Sequence, residues 1–289
     1  MVHLIIAIAF GSLFAILFKL FQRHGIDSLQ AIGINYFIAW LLGFIGHAAT
    51  EAPLVAFSAW IVPALFAGLF MMGGFVMMSK ATRSHGVAIA TISARISFII
   101  PVLLAYLFLQ GDTPRWSISA LVILALLLIF FNRNDKNQLS SSQWIYPFVV
   151  FLFYGIANFL LKFCQQLVAD AQGGDADLNM ITSMAFLAAF AYTIIYYFFQ
   201  SRHPHLHSPF TWKTLGAGIT LGCVNIGCTY SILKSLMEMD SSLFYPVYNL
   251  AIVLIATLVG QFYFKEQLSR IQYIGIAVAL LSIALFFLT

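Results

Sequence analysis

A chain of 289 residues that is 62% hydrophobic and 8% charged lies outside the range of soluble domains, in which about a quarter of residues are charged. The net charge of +4 does not point to nucleic acid, because Lys and Arg fall in the short polar gaps and form no basic cluster interleaved with aromatics. Together with a mean hydropathy of +0.94, this composition excludes a water-soluble globule and predicts an all-α polytopic membrane protein.

Apolar segments bounded by charge, Gly or Pro fall at 3–21, 30–49, 57–79, 86–109, 114–132, 143–165, 180–200, 210–236, 240–264 and 268–288, predicting ten transmembrane helices. A barrel would need alternating segments about half as long. The first, MVHLIIAIAFGSLFAILFKLF, lacks a basic n-region and an A-x-A site, so it reads as an uncleaved helix. The third carries Met71-Met72 and Met77-Met78, which read as packing, with a pliable cavity wall as the alternative. The fourth contains SARISFIIP, in which Arg95 has no acid within a turn on either side. An arginine in hydrocarbon costs about 2.5–3.5 kcal/mol on insertion scales, so this residue needs a reason.

The fifth segment opens on Asp112-Thr113-Pro114, a cap followed by proline. AQGGDADLN (171–179) reads as a flexible loop before the seventh segment. RHPHLHSP (202–209) places three histidines at alternate positions, but Pro204 and Pro209 make it a loop and no acid or cysteine is adjacent, so no metal site is expected. Cys164, Cys223 and Cys228 form no CxxC or Cys/His set and read as small apolar packers.

The chain also repeats itself. Residues 68–129 shifted by 154 fall on 222–283 without a gap: Gly68 on Gly222, Gly73 on Gly227, Lys80 on Lys234, Leu104 on Leu258, Phe108 on Phe262 and Asp112 on Glu266. Ala125, Leu126, Leu127 and Ile129 likewise meet Ala279, Leu280, Leu281 and Ile283. A shift of 143 lays the first segment on the sixth, with Lys19 on Lys162 and Gln22 on Gln165. Two halves follow, 1–136 and 137–289, each of five helices. Five is odd, so the second half enters the membrane upside down, an arrangement that sets a substrate site near the midplane between the halves.

On these features the chain resembles the ten-helix EamA branch of the drug/metabolite transporter superfamily. The likeness spans essentially the whole chain and includes Gly11 and Lys19 in the first helix and the turns Gly111-Asp112 and Lys265-Glu266. It speaks to architecture rather than to substrate. It implies a multi-pass protein of the bacterial cytoplasmic (inner) membrane, a secondary carrier or exporter of amino acids, other metabolites or drugs working by alternating access.

Residues four apart on a helix share a face. Thr91 and Arg95 lie together with Ala88, Phe98 and Val102, opposite a small-residue seam of Ala90, Ser93 and Ser97. The shift of 154 puts Thr91 on Tyr245 and Arg95 on Asn249, so the stripe Ser242-Tyr245-Asn249 is the counterpart in the ninth helix. The sixth helix adds Tyr154, Asn158, Lys162 and Gln165, and the eighth adds Asn225 and Thr229 beside Gly218 and Gly222. These stripes make Arg95, Thr91, Asn249, Tyr245, Asn158, Tyr154, Lys162 and Asn225 the expected substrate ligands around a central cavity. Bland readings stand beside them. Arg95 could bond backbone carbonyls, Asn225 could be interhelical glue, Tyr245 and Tyr248 could sit in an aromatic belt, and Lys19 and Lys162 read better as snorkelling.

No carboxylate sits at a helix centre, which argues against proton-driven export of cations. A buried arginine without a partner favours an anionic group, most simply a carboxylate gripped by its planar fork, so an amino acid or small organic acid is expected. HExxH, GxSxG, paired Asp and zinc-ligand spacings are all missing, so neither an enzyme nor a bound cofactor is expected. A lipid-linked or phosphate-headgroup flippase is the alternative, with Lys19 and Lys162 as its ligands. The expected partners are a small-molecule substrate and the bilayer, with a proton as an open choice of coupling ion. Ten Lys and Arg residues flank the gaps after the odd-numbered helices and three those after the even-numbered ones, which places both termini outside; the resemblance implies the opposite.

Overall fold

The computed structural model describes residues 2–49, 59–108, 120, 124, 145–172, 177–200, 210–262, 270–271, 273–275, 277–278 and 281. Among them are eight helices: α1 (Val2–Arg23), α2 (Ser28–Ala49), α3 (Ile61–Ile96), α4 (Ile99–Phe108), α5 (Ile145–Gln172), α6 (Leu178–Gln200), α7 (Trp212–Glu238) and α8 (Ser241–Phe262). The first and second expected segments are α1 and α2, the third and fourth are α3 with α4, and the sixth to ninth are α5 to α8. Most of the fifth segment and most of the tenth, with Asp112, Glu266 and the histidine tract, lie outside the described residues.

Among the described residues, seven stretches are long and apolar enough to cross a membrane: Val2–Arg23, Ser28–Ala49, Ile61–Ser84, Ala90–Phe108, Ile145–Ala171, Leu178–Phe199 and Trp212–Glu238. A helix of 22 residues reaches about 33 Å, slightly more than the hydrocarbon layer. The chain is therefore all-helical in its described part and built as a multi-pass membrane protein. Two of the seven stretches lie in α3 and α4, and both reach α5: Gly73 meets Phe153, and Ile100 meets Gly155.

Local chemistry sets the boundaries. α1 ends where Gly25 takes φ +63°; Ile26 N–H then donates to Phe21 O at 2.9 Å and Gly25 N–H to Gln22 O at 3.4 Å, the bond pair of a Schellman stop. Asp27 starts the next helix at once, its Oδ1 accepting from the N–H groups of Leu29 and Gln30. Asp177 does the same for Asn179 and Met180 at the head of α6, and Thr211 Oγ1 accepts from Thr214 N–H at the head of α7. Between α3 and α4 the cause is Pro101. It has no N–H for the carbonyl of Ser97 and its ring would strike that carbonyl, so the helix breaks at Ser97–Phe98.

Helix pairs approach closely at glycines, as small residues allow in lipid. α2 packs on α6 and α7, α3 on α5 and α6, and α1 on α7 and α8. These contacts recur at fixed offsets. A Cβ on Gly68 would meet Ala185 O and Ala188 Cβ, and one on Gly222 would meet Asn35 O and Ile38 Cβ. The partners 35 and 185, and 38 and 188, are each 150 apart, as are the two caps Asp27 and Asp177. Gly73 meets Phe153 while Gly227 meets Phe10, and 10 and 153 differ by 143.

Candidate functional site

A cavity of about 100 Å³ lies where α1, α3, α5, α7 and α8 converge. That is several times what one water requires. Seven of the eight expected ligands line it: Thr91, Arg95, Tyr154, Asn158, Asn225, Tyr245 and Asn249. Lys162 does not. It is half-buried one turn beyond Asn158, past the lined part of α5. Gln165, on the same stripe, is committed elsewhere, donating to Leu233 O at 3.3 Å.

Arg95 is buried, 8% exposed, and no acidic side chain pairs with it among the described residues. Its Nη1 donates to Asn249 Oδ1 and its Nη2 to Gly11 O, both at 3.5 Å, the long end of hydrogen bonding. Nε has no partner among the described residues. A guanidinium carries five N–H donors, so most of its capacity is unspent. Its carbon lies 5.5 Å from the Tyr248 ring centroid, a cation–π contact that holds the charge without neutralising it.

The neighbours are poised in the same way. Thr91 Oγ1 and Tyr245 Oη are buried and find no partner among the described residues. Such groups cost about 1–3 kcal/mol each when left unsatisfied, and Thr91, Arg95 and Tyr245, which carry three of the six among the described residues, all line this cavity. Asn249 is oriented from within its own helix, its Nδ2 donating to Tyr245 O at 2.8 Å, which leaves Oδ1 facing Arg95. Asn225 is different: its amide stands 3.0 Å from that of Asn35 on α2, so it ties α7 to α2 at the cavity edge. Glue and lining are both its roles.

Other lining residues escape the four-residue stripes. Tyr248 is three residues from Tyr245 and so shares its face, a spacing that marks it as a candidate once faces three apart are counted. It also stands 3.3 Å from Cys228 Sγ, a lining residue as well, although its sequence context suggests only a packer. Ser97, expected in the seam opposite, reaches the cavity because the helix breaks there. Gly11 contributes only a carbonyl, and a backbone acceptor leaves no trace in side-chain patterns. The opposite wall is apolar, formed by Phe14, Phe70, Met71, Phe75 and Met78. The methionine-rich third segment thus serves as a cavity wall, the less expected of its two readings.

No protein-family model matches the chain. A Haemophilus influenzae protein described as uncharacterized is 26% identical over 294 residues, covering 97% of this chain and 96% of that one. A solved crystal structure of a protein matches with a TM-score of 0.74 at 15% identity, covering 99% of this chain and 96% of the other. At that identity the likeness is one of fold.

Proposed function

We propose that the chain is a secondary membrane carrier, moving a small carboxylate-bearing metabolite by alternating access around the central cavity. The observation that carries this reading is Arg95, a buried guanidinium on a cavity wall with unspent donors and no counter-ion among the described residues. An intramembrane charge kept unpaired is explained by a ligand that supplies the opposite sign. A carboxylate fits the planar fork best, with Thr91 and Tyr245 as further donors.

The architecture we infer is ten helices in two inverted five-helix repeats, 1–136 and 137–289, as in the EamA branch of the drug/metabolite transporters. Support comes from the contacts that recur at offsets of 143, 150 and 154, and from the bond between Arg95 and Asn249, themselves 154 apart. Two equivalent residues touch each other only near a two-fold axis. The midplane site of inverted-repeat carriers is expected on that axis. Lys19 and Lys162, the headgroup ligands of the flippase alternative, are not among the residues lining the cavity, so we prefer the carrier. A bacterial inner membrane remains the expected location, with both termini outside by the charge count.

The test is uptake of labelled organic acids and amino acids into proteoliposomes, with Arg95→Gln in parallel. Saturable uptake of a carboxylate that the variant abolishes supports the carrier; equal uptake by the variant refutes the role of Arg95. A C-terminal reporter that remains cytoplasmic would overturn the orientation.

A further inference from the structure

Among the described residues, Arg95 is the one of formal charge lining the cavity; every other lining side chain is apolar, an alcohol, a phenol, an amide or a thiol. The cavity therefore holds a net positive charge and no site for a second one. It is also polarised. Tyr245 and Tyr248, on the helix that carries Asn249, belong to one buried cluster, and Phe75 and Met78, with Met71 packed against them, belong to another; both clusters reach the cavity. Phe75 is packed in turn against Phe14, at 5.7 Å between centroids, and edge-on against Tyr154 at 6.1 Å, so the apolar wall is firm rather than loosely filled.

We propose that the cavity selects an amphipathic monocarboxylate, an anionic head joined to an aromatic or branched apolar body with no amino group beside the head. This rests on the reading of Arg95 as the carboxylate ligand and goes beyond it by separating organic acids from amino acids. An α-ammonium would be carried into the Arg95 wall along with its carboxylate. There it meets like charge at close range in a site of low dielectric. Two nearby compensations are already taken, since Asn249 Oδ1 accepts from Arg95 and the face of Tyr248 is occupied by the same guanidinium, and the remaining polar lining, Asn158 and Tyr154 included, is neutral. Thr91 and Tyr245 offer neutral oxygens, which solvate an ammonium but do not balance it. An apolar body, in contrast, displaces water from the phenylalanine and methionine wall and gains about 25 cal/mol for each Å² covered.

The experiment is calorimetric titration of the full chain in lipid nanodiscs with four matched probes: 3-phenylpropanoate, phenylalanine, 2-phenylethylamine and propanoate. 3-Phenylpropanoate is expected to bind most tightly, with phenylalanine and propanoate each at least about tenfold weaker, and with no binding of the amine. Arg95→Gln is expected to abolish binding of both plain acids. Phe75→Leu, a milder change that guards against a folding defect, is expected to weaken 3-phenylpropanoate several-fold more than it weakens propanoate. Phenylalanine binding as tightly as 3-phenylpropanoate would overturn the proposal and leave the carboxylate site standing. Acids bound by neither protein, or bound equally by Arg95→Gln, would overturn the reading of Arg95 as the carboxylate ligand beneath it.

Discussion

Asn249→Asp places a carboxylate where the substrate's is expected to sit. The Asn249 Oδ1 stands 3.5 Å from Arg95 Nη1, and the new side chain has the same shape, so little has to move. At that distance the gross attraction is about 5 kcal/mol for an effective dielectric of about 20. Burying a second ion offsets much of this, since desolvation costs several kcal/mol per ion. Arg95 is already buried, so only the new carboxylate adds a penalty, and a net gain of about 1–2 kcal/mol is a fair expectation. An anion must then displace the internal carboxylate, which weakens its binding by roughly five- to thirtyfold. The assay is titration of a plain carboxylate beside thermal unfolding of the same samples, with Asn249→Leu as the neutral control. The expected pattern is a raised melting temperature with lost anion binding in Asn249→Asp, and binding within about threefold of the parent in Asn249→Leu. Parent-like anion binding by Asn249→Asp would refute the reasoning, because no ligand could share a guanidinium already neutralised.

A Cβ on Gly11 would stand 2.5 Å from Ile252 Cδ1 and 2.7 Å from Tyr248 Oη, in a region with no slack, so Gly11→Ala should cost about 1–3 kcal/mol of stability and weaken anion binding by shifting Tyr248. Gly216→Ala, where nothing lies within 4 Å, should instead be neutral or stabilising by up to about 1 kcal/mol, and denaturation of the pair in detergent checks both. His47 Nδ1 and Asp177 Oδ2 join the end of α2 to the head of α6 with both side chains buried; Asp177→Ala should cost about 1 kcal/mol more than His47→Ala in the same denaturation assay, because it also removes the α6 cap. A double-mutant cycle on Asn35 and Asn225 should give a coupling near about 0.6 kcal/mol, the usual value for an interhelical polar pair in lipid, and a value near zero would leave Asn225 to the cavity alone.

Membrane class and most helix positions are legible because they rest on bulk hydropathy, which needs no tertiary information. Arg95 and its neighbours are legible for a different reason. A polar residue in a long apolar run is expensive, and spacings of four select one face, so the stripes through Thr91, Arg95, Tyr245 and Asn249 point inward on spacing and cost alone. The same rule overshoots at Lys162, because a face continues along the helix after the cavity ends. It misses Ser97, whose direction is set by the break that Pro101 imposes one turn later. Gly11 stands out in the sequence for its likeness to a family, not for its carbonyl, since backbone acceptors carry no residue-type signal. Asn35 has no polar residue three or four positions away on α2, so it forms no stripe, and its value appears only when α7 brings Asn225 within 3.0 Å.

On the inverted-repeat reading, a two-fold scaffold tends to present the same residue on both sides of its axis, yet the pair proposed to lie there, Arg95 and Asn249, differs. Two arginines in those places would repel one another at the distance where Arg95 and Asn249 now bond. Two asparagines would satisfy each other and carry no charge to attract an anion. One of each keeps a single positive charge at the centre, loosely held by a neutral partner that gives way to a ligand. The neighbouring pair, Thr91 and Tyr245, diverges in size but keeps a hydroxyl on each side, and both hydroxyls are buried without a partner among the described residues. On the inverted-repeat reading, a side chain on the axis is also the one part of the protein that can face either side of the membrane in turn while staying in place. The walls around Arg95 then have to rock, and the break at Ser97–Phe98, within a turn of the arginine, lies where one of those walls already bends.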